Sequence, residues 1–159
     1  MIDTHGAVYV EEQSLSPRLL AFIVFAAGIA GLGVYAAAGD GPAASAGPLA
    51  VLAAMIAVVI VFRTFNLTTT VENDGVRVKG MWVVNRLIRF DEISSAEKRE
   101  YRPIAEYGGW GYRIGPSGKA YNAQGNEGVQ LVLKNGGRVL IGSQRADELA
   151  GLIASRLRG

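Results

Sequence analysis

Two long apolar runs, Leu19 to Ala38 and Pro48 to Phe62, constrain this chain more than any other feature. The first is twenty residues without a charge. As a helix it is about 30 Å long, which matches the hydrocarbon core of a bilayer. The second is fifteen uncharged residues. Counted from about Ala43 to Phe65 it reaches roughly 34 Å, with Arg63 near its end. An arginine there reaches the headgroups, whereas at the bilayer centre it costs roughly 2.5–3.5 kcal/mol. The pattern predicts a two-helix transmembrane hairpin over 19–65, with spans at about 19–38 and 43–65. The alternative, a buried hairpin in a helical protein in water, needs a large partner layer that the rest of the chain does not supply.

The flanks predict a direction. The loop Gly39 to Gly47 contains Asp40 and no lysine or arginine. Arg18 precedes the first span, Arg63 closes the second, and residues 66–159 carry 14 Lys/Arg against 10 Asp/Glu. By the positive-inside rule both termini are cytoplasmic and the short loop is outside, a multi-pass arrangement in the cell (inner) membrane. Residues 1–18 are then a cytoplasmic arm. The Ala36-Ala37-Ala38 stretch mimics a signal-peptide cleavage site, but Asp3, Glu11 and Glu12 and the second apolar run argue for retention. Within the arm, Tyr9 to Gln13 reads as a short strand or a loop packed on the later domain, or as a disordered terminus.

Small residues recur four apart in the first span, at Ala26/Ala30, Ala27/Gly31 and Gly33/Ala37. Such spacing lets helices approach closely, either within the hairpin or against a second copy or another membrane protein. Neither span core carries Asp, Glu, Lys or His, the groups that mark ion and substrate pathways. There is no cysteine and one histidine, His5. That removes disulfides, thiol nucleophiles and His- or Cys-based metal sites. A net charge of +2 does not point to nucleic acid.

From Asn66 onward the period changes to two. Thr68 to Val71 runs into the turn Asn73-Asp74-Gly75, and Val76 to Lys79 alternates apolar and basic. Strands are predicted at 86–90, 93–100, 110–114, 119–122, 129–133 and 138–141, the last two joined by Asn135-Gly136-Gly137. After Pro103 a break is expected. Seven or eight short strands with short turns predict an antiparallel barrel or sandwich. A helix over 143–158 closes the chain, capped by Ser143, with Ala146, Leu149, Ile153 and Leu157 on one stripe.

Strands first and one amphipathic helix last is similar to the pleckstrin-homology (PH) fold. More specifically, the chain resembles bacterial membrane proteins of unknown function that join a two-span hairpin to a PH-like domain. The residues carrying the resemblance are Tyr101-Arg102-Pro103, Tyr107 to Arg113, Ala120-Tyr121-Asn122 with Gly125, and Val139 to Gln144. It implies a PH-like β-barrel over 66–159 and a membrane location. It implies no activity. Inositol-lipid-binding PH domains use a basic loop between their first two strands; here that loop is the acidic Glu72-Asn73-Asp74-Gly75.

The stretch Tyr107 to Arg113 packs three aromatics, three glycines and an arginine into seven residues. Tyr107, Gly109, Trp110 and Arg113, with Tyr121 and Asn122 of a neighbouring polar loop, form the candidate interaction surface for an anion or a partner peptide. The alternative is structural: a tight turn, with Trp110 filling the barrel end and Arg113 paired to Glu97, Glu100 or Glu106. A nucleotide loop at Gly109-x-Gly111 needs a strand before it and a helix after it. Gly142 to Arg145, between a strand and a helix, has the layout of a phosphate-holding helix start or of a plain cap. The function expected is a membrane-anchored, non-enzymatic module with a protein partner. The alternatives are anionic-lipid or headgroup sensing at the inner leaflet, or a subunit of a membrane enzyme or transport complex. No catalytic residue, cofactor or metal is expected, and a homo-oligomer is allowed.

Overall fold

The computed structural model describes residues 7–37, 42–80 and 84–158. His5, Ala38 and the Gly39–Asp40 start of the short loop lie outside them. The chain divides into two compact units. Leu15–Phe65 form one; the segment before it and the chain from Asn66 onward form the other.

The first unit is two helices, α1 (Pro17–Ala37) and α2 (Pro42–Arg63). Each starts on a proline, whose fixed φ suits a first helical residue and whose missing N–H costs nothing there. After α2 the Thr64 hydroxyl donates to the Val61 carbonyl at 2.7 Å, satisfying a terminal acceptor. Large apolar side chains lie exposed along both helices, among them Phe22, Phe25, Ile29, Leu52 and Ile56. A helix apolar all round needs a non-aqueous neighbour. Among the described residues one helix, Pro17–Ala37, is long and apolar enough to cross a bilayer; the apolar stretch Gly47–Arg63 of α2 is shorter.

The small residues of α1 divide between two faces. A Cβ on Gly31 would stand 2.4 Å from Val51 Cγ1 of α2, and one on Gly28 would touch Met55. Ala26, Ala30, Gly33 and Ala37 stay exposed. Gly31→Val is therefore expected to force α1 and α2 apart and lower the melting point of the detergent-solubilised chain, at a cost of about 1–3 kcal/mol. Gly33→Val, where nothing lies within 4 Å, should leave it unchanged. Equal melting points for the two variants would refute this packing.

Among the described residues the second unit has nine strands in two sheets and two α-helices. The first sheet runs β1 (Tyr9–Ser14), β2 (Asn66–Val71), β3 (Gly75–Gly80), β4 (Val84–Arg89), all antiparallel. Its first strand comes from the N-terminal arm. Tyr9 pairs with Val71 and Ser14 with Asn66, so the helical unit is inserted between two paired residues. A 3-10 turn, Phe90–Glu92, leads to β5 (Ile93–Glu100). Then come α3 (Pro103–Tyr107), β6 (Gly111–Gly115), β7 (Gly118–Asn122), β8 (Glu127–Leu133), β9 (Arg138–Gly142) and α4 (Ala146–Arg158). The second sheet has the order β5-β8-β9-β7-β6 and is antiparallel except for β7 against β9.

Three expectations change. The sheets are not closed into a barrel: β5 pairs with β8 rather than continuing from β4, and the 3-10 turn separates β4 from β5. The break after Pro103 is the helix α3, begun by Pro103 and by Glu106, whose carboxylate accepts the Arg102 N–H at 2.8 Å. The last helix starts at Ala146, because Ser143 Oγ accepts the Arg145 N–H at 2.9 Å in a turn that precedes it. Its stripe is as expected, with Ala146, Leu149 and Ile153 buried and Leu157 half-buried. Leu67, Val76 and Ile88 of the first sheet and Val129, Leu131 and Leu140 of the second are buried, and Leu140 clusters with Tyr101, Tyr107 and Ala120.

Candidate functional site

The aromatic and glycine stretch is the exit from α3. Gly108 adopts φ 72°, the left-handed conformation that ends helices, and its N–H donates to the Ile104 carbonyl. The Gly109 N–H donates to Pro103 at 2.9 Å, completing the cap. Trp110 is half-buried, and its Nε1–H donates to the Gly125 carbonyl at 3.0 Å, which ties this turn to the loop after β7. The helix comes before the glycines and a strand after them, the reverse of a nucleotide loop.

Three of the six candidate residues are buried. Tyr107 is buried and meets Tyr101 edge-on, ring centroids 6.1 Å apart. Asn122 is fully buried, and its Oδ1 accepts the Gly111 N–H at 2.8 Å. Tyr121 is also largely buried and stacks on Tyr112 at 5.1 Å. Burial raises the phenol pKa of both Tyr107 and Tyr121. What reaches the surface is part of Trp110, Gly109 and, on β6, Arg113. Glu106, one expected partner of Arg113, pairs with Arg99 instead, and Glu100 accepts from Asn126 at 2.9 Å. Among the described residues Arg113 makes no ion pair.

Tyr112 and Ile114 are also exposed on β6, on the face opposite Arg113. Ile114 is 70% exposed on β6, the last strand of its sheet. An edge strand presents unpaired backbone groups, and exposed apolar side chains on it favour strand addition by a partner. Alternation along the strand puts Tyr112 and Ile114 on one face. That β6 is an edge came only from the pairing.

The Gly142–Arg145 segment is already occupied by an internal anion. Glu11 of β1, only 6% exposed, accepts the Gln144 N–H at 2.7 Å and the Ser143 hydroxyl at 2.6 Å. It also accepts the Tyr9 hydroxyl at 2.5 Å and Gln13 Nε2 at 3.1 Å. Arg145 lies over the Tyr9 ring at 4.5 Å and donates to the Val10 carbonyl. Burial first, and then the bond to Glu11, push the Tyr9 phenol up to about 12. The acidic β2–β3 turn also looks inward for its charge: Glu72 holds Arg77 through two bonds, 2.5 and 2.9 Å long, and Arg77 in turn lowers the Glu72 pKa.

No protein-family model matches this sequence, and a comparison with curated proteins finds no match. The class defined by the fold is thus an apolar helical unit inserted into a two-sheet, mostly antiparallel β-unit that ends in a helix.

Proposed function

We propose that the chain is a membrane-anchored, non-enzymatic interaction module: a two-span hairpin carrying a cytoplasmic PH-like β-domain that binds a protein along β6 and the Gly/Trp turn. The observation that carries the anchor is the β1–β2 ladder. Ser14 and Asn66 are paired, so the chain leaves the β-unit for the helices and returns to the same sheet. A single crossing would leave β1 and β2 on opposite faces of the membrane, where no ladder can form. The ladder favours an even number of crossings, and the anchored reading takes that number as two, α1 being long and apolar enough to cross. Arg18 and Arg63 at the two ends favour the cytoplasmic side. The ladder also argues against loss of the N-terminal segment as a signal peptide. The PH-like reading draws on four strands in one sheet, a second sheet after it and a closing helix.

The natural chain has no cysteine, so single-cysteine variants report cleanly. Val8→Cys before β1 and Lys134→Cys in the β8–β9 turn are both at exposed positions. Both are expected to resist a membrane-impermeant maleimide in intact cells and to react after permeabilisation. Labelling of one but not the other in intact cells would refute the two-span reading. For the partner surface, Trp110→Ala with Arg113→Ala is expected to remove proteins that crosslink to the wild type in its native membrane. An unchanged crosslinking pattern would remove this surface.

A further inference from the structure

A cavity of about 330 Å³ is lined by residues of both sheets of the β-unit, Ile114 of β6 among them. Three cations from three strands line it: Arg86 of β4, Lys119 of β7 and Arg138 of β9. No aspartate or glutamate lines it. Elsewhere in this unit Arg77, Arg89, Lys98, Arg99 and Arg145 each have a carboxylate partner. Among the described residues Arg86, Lys119 and Arg138 have none. Other unmatched cations exist, such as Lys79 and Arg113, but they do not share a cavity.

The three reach the cavity from different strands. β7 and β9 run parallel, with Lys119 opposite Val139, so Lys119 and Arg138 sit at the same end of adjacent strands. Gly118, at φ 103°, lies against Arg138, and a Cβ there would stand 2.3 Å from the Arg138 carbonyl oxygen. A side chain at 118 would push the two strands apart. Arg86 arrives from the other sheet. The lining also includes the apolar Ile88, Ile114, Leu133 and Val139 and the phenol of Tyr121. Burial raises the pKa of that phenol, so it remains a neutral donor at physiological pH.

The geometry points to a binding site for a phosphate monoester that carries an apolar group. Three separate donors suit a phosphate, which presents three acceptor oxygens and approaches two negative charges above its second pKa near 6. A carboxylate offers one charge and two oxygens and leaves a cation unmatched. The apolar walls accept the non-phosphate part. This inference goes beyond the anchored-module reading and does not depend on it, since it rests on the cations that line the cavity and not on a protein partner.

The test uses the full chain in a zwitterionic detergent, with hexyl phosphate titrated by calorimetry. Saturable binding is expected, stronger than for hexanoate or inorganic phosphate, and weaker below about pH 6 as the ester loses a charge. Arg86→Gln, Lys119→Gln and Arg138→Gln, all at exposed side chains, should each weaken it several-fold and together at least tenfold, with circular dichroism unchanged. Absence of saturable binding, or affinity unchanged in the folded triple variant, would overturn the site. Repeating the titration in nanodiscs separates the sources. Loss of hexyl phosphate binding when phosphatidic acid replaces phosphatidylcholine assigns the site to a lipid headgroup; unchanged binding assigns it to a soluble ester. Neither result bears on the labelling of Val8→Cys and Lys134→Cys.

Discussion

Glu11→Ala is expected to destabilise the β-unit by about 3–5 kcal/mol, because it removes one acceptor shared by several buried donors. The Gln144 N–H, the Ser143 and Tyr9 hydroxyls and Gln13 Nε2 all donate to this carboxylate. The Tyr9 hydroxyl keeps only its 3.4 Å contact with Ser143 Oγ, which still accepts the Arg145 N–H, and the Gln144 N–H loses its acceptor. The change also weakens the tie of β1 to the β9–α4 junction, leaving the Gln13 bond to Gly142 and the Arg145 bond to Val10, so amides of β1 should exchange faster than those of β3. Glu11→Gln retains one carbonyl oxygen and should lose less. Urea unfolding of the intact chain measures this. A loss under about 1 kcal/mol for Glu11→Ala would mean that the network contributes little net stability.

Raising the pH should destabilise the same unit between pH 10 and 12. Burial pushes the Tyr9 and Tyr101 phenols up from 10.0 to about 12. Below pH 10 both are protonated whether the chain is folded or not, and the contribution is fully present. As the pH rises past 10 the unfolded chain loses these protons first, so folding becomes less favourable. Above about 12 the folded phenols ionise too, and the loss is complete. Each tyrosine corresponds to about 3 kcal/mol over this window. Tyr101→Phe should flatten its share of the slope with little cost at pH 7, since its hydroxyl has no hydrogen-bond partner among the described residues. Tyr9→Phe should flatten its share but cost stability at pH 7 through Glu11. Urea midpoints at pH 8 and pH 11.5 test both; an unchanged slope in the double variant would assign the alkaline loss to other groups.

Much of the β-unit was legible from local pattern. Strands predicted at 93–100, 119–122, 129–133 and 138–141 lie within one or two residues of the observed elements, because alternation and turn residues act over short separations. The α3 helix was missed because it is only five residues long, too short for periodicity to show. The candidate surface was partly legible. Its glycines announced a turn, but Tyr107 and Asn122 turned out to be buried, since packing around α3 and β6 decides which aromatic faces inward.

By itself the sequence determined the apolar helices, the strands after Asn66 and the closing amphipathic helix, since each depends on residues close in the chain. Only the tertiary structure decided that the N-terminal arm is the first strand of a sheet whose next strand lies more than fifty residues on. It also decided that Glu11 fills the turn before the last helix, and that Arg86, Lys119 and Arg138 share one cavity. The physical reason is common to all three. Pairing between distant segments is set by which edges and donors remain unsatisfied once the local elements have formed, and no short window of residues carries that information.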